Sequence, residues 1–278
     1  MPRTSRHRPD GATPTVAVVG PGRAGGSMAR SLLDAGVPVP VLGTRDGAVR
    51  AIATRLGLET CSPPEALSRA DVVLLAVPDD ALELLAAHLA AHARPSNRRP
   101  VVAHLSGALG VTALAPLAAA GLPVAAWHVL QAFPSPETGV RPGVVHALTT
   151  DTATTEAVLA RLVSALQGRL LRVREADRAR YHAAAVLAAN GTAAVMVAAA
   201  AQLQACGLTE PDALAALGPL VDSARDAVVA GGIPDGLTGP WVRGDAGTVA
   251  RHLTALGDDD ATVRLYEALA RVVERASH

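Results

Sequence analysis

Apolar positions follow two rhythms along this chain. From Thr15 to Val173, short β-branched runs alternate with alanine- and leucine-rich segments of helical spacing, and after Arg174 the strand signal stops. The runs predict strands over 15–19, 38–42, 71–76, 101–105, 124–127 and 144–148, with a last one over 170–173. Between them, 24–35, 47–56, 80–93, 111–120 and 154–166 place Ala and Leu three and four residues apart, as helices that cover a sheet do. Strands alternating with helices in this way predict an α/β fold with a doubly wound parallel sheet. The remainder is all helical, over 176–206, 211–230, 247–255 and 260–276. Gly207 suits the C-cap of the first of these helices, and Thr209-Glu210-Pro211 opens the second with a cap residue followed by proline in the first turn. The expected organisation is a tail over 1–13, a sheet domain over 14–174 and a helical domain over 175–278.

The first strand runs into Gly20-Pro21-Gly22-Arg23-Ala24-Gly25, a G-x-G-x-x-G between strand and helix. Gly20 allows the tight turn, Gly22 lets backbone touch a pyrophosphate, and Gly25 lets the helix pack on the strand, while the helix N-terminus offers free N–H groups and a positive dipole. This is the Rossmann fingerprint in its required setting, followed by further β/α units. The second strand ends Leu42-Gly43-Thr44-Arg45, where an NAD enzyme carries a carboxylate for the ribose 2′-hydroxyl. A hydroxyl at Thr44 and a guanidinium at Arg45 suit a 2′-phosphate, with Arg23 as a second contact, so NADP(H) is the expected cofactor. Asp46 stands too late and reads as a helix cap. After the 71–76 strand, Val77 and Pro78 would lie under the ribose and nicotinamide as surface, and Asp80 reads as a cap rather than an acid.

Composition narrows the partner. The chain has 278 residues, 50% hydrophobic and 18% charged, enough to bury a large core, and its 25 basic residues balance 25 acidic ones, so no net field draws it to nucleic acid. The longest apolar stretch, 183–201, is interrupted by Asn190, Gly191 and Thr192 and reads as helix packed in protein, so no membrane span is expected. The tail lacks the apolar core of a secretory signal, and Cys61 and Cys206 have no metal-type spacing, which suits the cytoplasm. His88 and His92 sit four apart but without a third ligand, and read as solvated helix face rather than a metal site. Every basic residue in the Lys-plus-Arg count is arginine, which excludes mechanisms that need a lysine.

Three polar segments remain: His104-Leu105-Ser106-Gly107, His128-Val129-Leu130-Gln131-Ala132-Phe133-Pro134, and Tyr181-His182 leading to Asn190. On a regular helix His182, Val186 and Asn190 share one face. Together with Ala76-Val77-Pro78-Asp79-Asp80 and Leu237-Thr238-Gly239-Pro240, then Arg243-Gly244-Asp245, these segments resemble a family of Rossmann-like oxidoreductases whose C-terminal helical domain is of unknown function. The resemblance covers nearly the whole chain from Thr15 on. It implies hydride transfer to or from a small carboxylic acid, as in the wider superfamily of ketopantoate reductase, pyrroline-5-carboxylate reductase and 6-phosphogluconate dehydrogenase. Some members resembling this family act as an alternative ketopantoate reductase, which makes ketopantoate the most concrete substrate. It also implies that the helical domain over 175–278 serves substrate binding and dimerisation, with a homodimer through the C-terminal helices.

The sequence departs from those relatives at one point: Val186 stands where their Lys-x-x-x-Asn helix has its proton donor. Histidine is the remaining side chain that titrates near neutral pH, so His182 is the first candidate donor and His128 the second. Ser106 and Asn190 would hydrogen-bond the substrate oxygen, and Arg243, oriented by Asp245, would clamp its carboxylate. Each has a bland alternative: Ser106 as a turn residue, Asn190 as the cap of a kink, Arg243 as a structural partner of Asp245. Two rival functions stay open, an imine or deazaflavin-linked NADP oxidoreductase and an NADP sensor without turnover.

Overall fold

The computed structural model describes residues 13–43, 47–93 and 99–277. They form two compact units that divide between Val186 and Leu187. The sequence boundary at Arg174 falls short of this division because Glu175 and Arg178 are hydrogen-bonded into the sheet unit, at Val111 and Thr112 and at Ser106 and Leu109 respectively.

The sheet unit runs β1 (Val16–Val19), α1 (Arg23–Asp34), β2 (Val41–Gly43), α2 (Gly47–Arg55), β3 (Glu59–Cys61), α3 (Pro63–Arg69), β4 (Val72–Leu75), α4 (Asp79–His92) and β5 (Val101–His104). A 3-10 turn, Val111–Leu114, leads into α5 (Ala115–Ala119), followed by β6 (Val124–Val129), β7 (Val145–Thr149), α6 (Ala153–Ala165) and β8 (Arg169–Arg172). A second 3-10 turn, Glu175–Asp177, opens α7 (Arg178–Val186). The strand order is β3-β2-β1-β4-β5-β6-β7-β8, so the chain reverses its direction of travel across the sheet between β1 and β4, which pair in parallel from Val16 beside Val72 to Val19 beside Leu75. In open α/β sheets, ligands bind at such a reversal, beyond the carboxyl ends of the strands.

Strands covered on both faces must be apolar at every position, and the four residues of β1 and of β4 are all buried. Alternate residues serve opposite faces. Val16 and Val18 pack with Met28, Leu32 and Leu159 from α1 and α6, whereas Ala17 and Val19 pack with Leu67, Leu82 and Leu89 from α3 and α4.

Two features differ from expectation. β7 runs antiparallel to β6, with Trp127 opposite Leu148, and β8 is parallel to β7, so the sheet is mixed. The β6–β7 connection contains no crossover helix, which a parallel return would need. β3 and α3 were not anticipated: Glu59-Thr60-Cys61 is a short edge strand with no apolar alternation, and α3 opens where the Ser62 N–H donates to Glu65 Oε2 at 2.7 Å.

The helical unit contains a π-helical turn (Leu187–Gly191), then α8 (Thr192–Ala205), α9 (Glu210–Gly231), α10 (Ala246–Leu256) and α11 (Asp260–Ala276). The four α-helices match the predicted segments to within a residue or two at the ends the unit contains. Among its described residues only Ala200, Ala213 and Gly236 are buried. By length and composition the segment Glu175–Ala205 suffices to cross a membrane, and 6% of its most apolar window is buried.

Candidate active site

The phosphate turn is built by exclusion of side chains. Gly20 has φ +79°, and a Cβ there would stand 2.9 Å from Ala76 O; one on Gly25 would stand 2.6 Å from Gly20 O and 2.7 Å from Ala76 Cβ. At Gly22, by contrast, the space a Cβ would enter is open. Gly22 is the N-cap of α1, no side chain caps that end, and its first turn carries no acidic residue. Free amides, open space and a positive dipole with no resident anion fit a pyrophosphate. Gly20, Pro21, Gly22, Arg23, Ala24 and Gly25 thus stand together at the β1 end, and Val77 lies against Gly20. Pro78, not Asp80, is the N-cap of α4. Thr44, Arg45 and Asp46, the residues read as selecting the 2′-phosphate, lie outside the described residues.

At the carboxyl ends of β4, β5 and β6 the unit gathers its polar side chains. Ser106 Oγ donates to Asp79 Oδ2 at 2.8 Å and accepts the Leu109 N–H at 3.1 Å. Its proton is therefore committed to Asp79, a residue to which the sequence reading gave no role. His104 is fully buried; its Nδ1 accepts the Ser106 N–H, so Nε2 carries the hydrogen and donates to Gly110 O at 2.9 Å. Burial lowers its pKa, as a neutral strut of the loop requires.

Arg178, 1% exposed, holds the same loop from the other side. Its Nε donates to Leu109 O at 3.0 Å and its Nη2 to Ser106 O, while Nη1 has no partner. The Glu175 carboxylate accepts the Val111 and Thr112 N–H groups at 2.8 and 3.2 Å, and these bonds hold its pKa below the usual range against the cost of burial. Neither residue has a sequence signature, because burial of a charged side chain is invisible in a one-dimensional pattern. The only hint was their helical spacing ahead of Tyr181 and His182.

α7 brings its next turn onto β6. The Tyr181 hydroxyl lies 2.8 Å from His128 Nδ1, and the His182 ring stands edge-on to His128 with centroids 5.5 Å apart. Burial, the neighbouring His182 and the Arg178 charge push the His128 pKa down to about 4, while burial raises the Tyr181 hydroxyl to about 12. Both are neutral at physiological pH. His182 Nδ1 is buried without a partner, and a Cβ on Gly107 would stand 2.2 Å from it, so Gly107 is required for this approach. The unit thus unites Ser106, His128 and His182 with Asp79, Arg178 and Tyr181.

The other two sequence candidates belong to the helical unit. Asn190 is exposed within the π turn, so the regular-helix spacing that set it on a stripe with His182 and Val186 does not carry over. Arg243 lies in the turn before α10. Asp245 does not orient it by a hydrogen bond; its carboxylate caps α10 by accepting from Thr248 N and Oγ1 at 3.0 and 2.8 Å. The Gln131 of the His-x-x-Gln segment is a loop clamp: its amide donates to Gly139 O at 2.7 Å and accepts the Arg141 N–H at 2.9 Å. The His88 and His92 rings lie with centroids 4.5 Å apart, tilted by 51°, and no group of metal-ligating side chains occurs among the described residues.

The strand order, the reversal between β1 and β4 and the glycine turn define a Rossmann-type unit followed by a helical unit. A family model described as a Rossmann-like domain matches residues 4–129, and one described as a domain of unknown function, DUF2520, matches 144–273. The chain thus carries a Rossmann-like domain followed by a DUF2520 domain. Three solved structures illustrate the shared fold. A candidate NADP oxidoreductase from Bacteroides fragilis is 22% identical with a TM-score of 0.77, covering 94% of this chain and 98% of its own. A reductive aminase from Aspergillus terreus, in complex with NADPH4, cyclohexanone and allyl amine, is 17% identical with a TM-score of 0.67, covering 96% of each chain. A pyrroline-5-carboxylate reductase from Coxiella burnetii is 15% identical with a TM-score of 0.63, covering 95% of this chain and 98% of its own.

Proposed function

We propose that this protein is an NADPH-dependent oxidoreductase that reduces the carbonyl of a small oxo acid. The observation that carries the reading is the placement, at the carboxyl ends of one sheet's parallel strands, of an uncapped glycine turn after β1 and a His128–Tyr181–His182 cluster at β6. The turn of Gly20 to Gly25 would hold the pyrophosphate, Val77 and Pro78 would floor the nicotinamide, and the bound dinucleotide would supply hydride. A ketone needs a proton on oxygen as hydride reaches carbon, and the cluster is a store of transferable protons. His128 and His182 keep their place as candidate donors. Ser106, already tied to Asp79, would serve by shaping the loop or by accepting from the substrate. Ketopantoate is the substrate proposed, on the family resemblance.

A second reading, reduction of a C=N bond, is favoured by the folds of the reductive aminase and of pyrroline-5-carboxylate reductase. An iminium arrives protonated, so it leaves the proton cluster without a task, which places it second. The deciding experiment is NADPH oxidation by the purified protein against branched 2-oxo acids including ketopantoate, cyclic imines, and ketone-plus-amine mixtures. Turnover confined to oxo acids supports the first reading, turnover confined to imines supports the second, and tight NADPH binding with no turnover supports the sensor.

We also propose that the working form is a homodimer through the helical unit, in the cytoplasm. Leu187, Val197, Leu220, Val229 and Ile233 are all at least 63% exposed, an apolar surface of the kind another protein surface covers. A second copy of the same helices is self-complementary by symmetry.

A further inference from the structure

The reductase reading leaves its proton donor unsettled, since a histidine whose pKa lies near 4 is neutral when it is asked to act as an acid. The hydrogen bond on its other side resolves this. His128 Nδ1 faces the Tyr181 hydroxyl at 2.8 Å, and the Arg178 guanidinium carbon stands 5.8 Å from the centre of the Tyr181 ring. A cation beside a phenol stabilises negative charge on its oxygen, which favours the arrangement in which the O–H donates and Nδ1 accepts. In that arrangement the imidazole hydrogen sits on Nε2, the nitrogen turned away from Tyr181.

We infer that Tyr181 is the proton reservoir of the site, acting through His128 as a two-bond relay. The inference rests on the reductase reading. In the step, hydride from the reduced dinucleotide brings both electrons to the carbonyl carbon. The Nε2–H bond of His128 breaks and its proton goes to the carbonyl oxygen. The Tyr181 O–H bond breaks in turn, its proton passing to Nδ1, so that the ring ends neutral with its hydrogen on the opposite nitrogen. The charge left is a phenolate on Tyr181 beside Arg178, discharged afterwards by a proton from water. No histidinium is required, which reconciles a half-buried, neutral His128 with proton donation. The groups that face His128 and set this balance are Tyr181, His182 and Arg178 from α7 and His146 from β7. Tyr181 is accordingly a positioning residue: it fixes the His128 tautomer and refills it.

The test has a spectroscopic arm that needs no turnover. In protein labelled with nitrogen-15 histidine, the cofactor-free wild type is expected to show His128 with a protonated Nε2 and a bare Nδ1; a protonated Nδ1 overturns the relay. The kinetic arm is Tyr181→Phe, for which single-turnover reduction is expected to fall ~100-fold or more with NADPH affinity unchanged. A proton inventory in mixed H2O and D2O should bow for the wild type, with two protons in flight, and become linear in the variant. An unchanged rate and a linear wild-type inventory would overturn the relay while leaving the reductase reading intact. Failure of the wild type to oxidise NADPH with any carbonyl would instead remove the reductase reading, whatever the His128 tautomer.

Discussion

The two units of this chain solve the burial problem differently. The sheet unit closes a core on each face of its sheet, with Leu32, Leu74, Leu89, Leu114 and Trp127 fully enclosed, whereas the helical unit leaves Leu220 63% and Val229 78% exposed on a single helix. The first is complete within one chain. The second spans helices long enough to fold against something, yet buries only small residues, Ala200, Ala213 and Gly236, among those described. It also holds a cavity of about 650 Å3 lined by Leu203, Leu217, Trp241, Leu265 and Tyr266. The contrast teaches where each unit's stability comes from: packing density in one, and in the other an apolar surface whose covering depends on partner concentration.

The sharpest way to break this contrast is to delete the same side chain in both units. Leu74→Ala, at a site with no exposure, should cost about 4 kcal/mol through lost transfer energy and a cavity. Leu220→Ala should change unfolding of dilute, monomeric protein by no more than about 0.5 kcal/mol. Urea melts of both at low concentration measure the difference, and equal losses would mean that the helical unit has a core of its own.

Acid should separate the units next. His128 and His146 are held down to about 4 by burial, so between that value and the ordinary 6.5 the unfolded chain binds protons that the folded one does not. Stability is then full above pH 6.5 and falls as pH drops toward 4, by of order 3 kcal/mol for each histidine. The caps of the helical unit have the same sign of dependence but in a lower pH window. Asp245 and Asp259 are held below the usual carboxylate range by hydrogen bonds from Thr248 and Thr262, so their contribution survives until pH falls below the ordinary value of 3.8. The chain has two tryptophans, Trp127 in the sheet unit and Trp241 in the helical unit. In Trp241→Phe, where Trp127 alone reports, fluorescence should show loosening between pH 6.5 and 4 while helical circular dichroism holds. Simultaneous loss of both signals would show that the units unfold as one.

A charge on the open face of α9 should have a smaller and more selective effect. Leu220→Glu with Val229→Glu is expected to raise the dimer dissociation constant at least tenfold, about 1.4 kcal/mol, as read by sedimentation velocity. Leu84→Glu, equally exposed but on α4 of the sheet unit, should leave assembly unchanged. A wild type that is monomeric at micromolar concentration but floats with phospholipid vesicles would replace the proposed second copy with a bilayer.

The same division governs how much the chain disclosed before its structure was known. Seven of the sheet strands and the glycine turn were legible because they are written in local rules: β-branched runs, a strand feeding G-x-G-x-x-G, a helix after it. β3 was not, since Glu59, Thr60 and Cys61 pair only through their backbones at an edge. The antiparallel turn of β7 was hidden too, because strand direction depends on what connects the strands and not on their composition. In the site, the histidines announced themselves by residue type. Their partners did not: Asp79, Glu175 and Arg178 act through contacts 27 to 72 residues away in sequence. Asn190 shows the converse, a spacing argument undone by a single π turn.

The mildest perturbation uses identical chemistry in the two settings. Thr152 caps α6 by accepting from Thr155 N, and Thr209 caps α9 by accepting from Asp212 N, both at 3.4 Å. Replacing either by alanine removes one bond to an orphan amide, about 1 kcal/mol in a typical helix. α6 is locked to the sheet by Leu159, Leu162 and Val163, so its first turn cannot fray without disturbing the core, and Thr152→Ala should lower global stability by that full amount. The first turn of α9 is exposed at Glu210, Pro211 and Asp212 and packs only Ala213, so it has less to lose by opening. Thr209→Ala should therefore leave the urea midpoint nearly unchanged and instead speed amide exchange over Ala213 and its neighbours. Exchange confined to α9 would mark the helical unit as a set of locally opening parts, whereas a global shift equal to that of Thr152→Ala would make the two units a single cooperative structure.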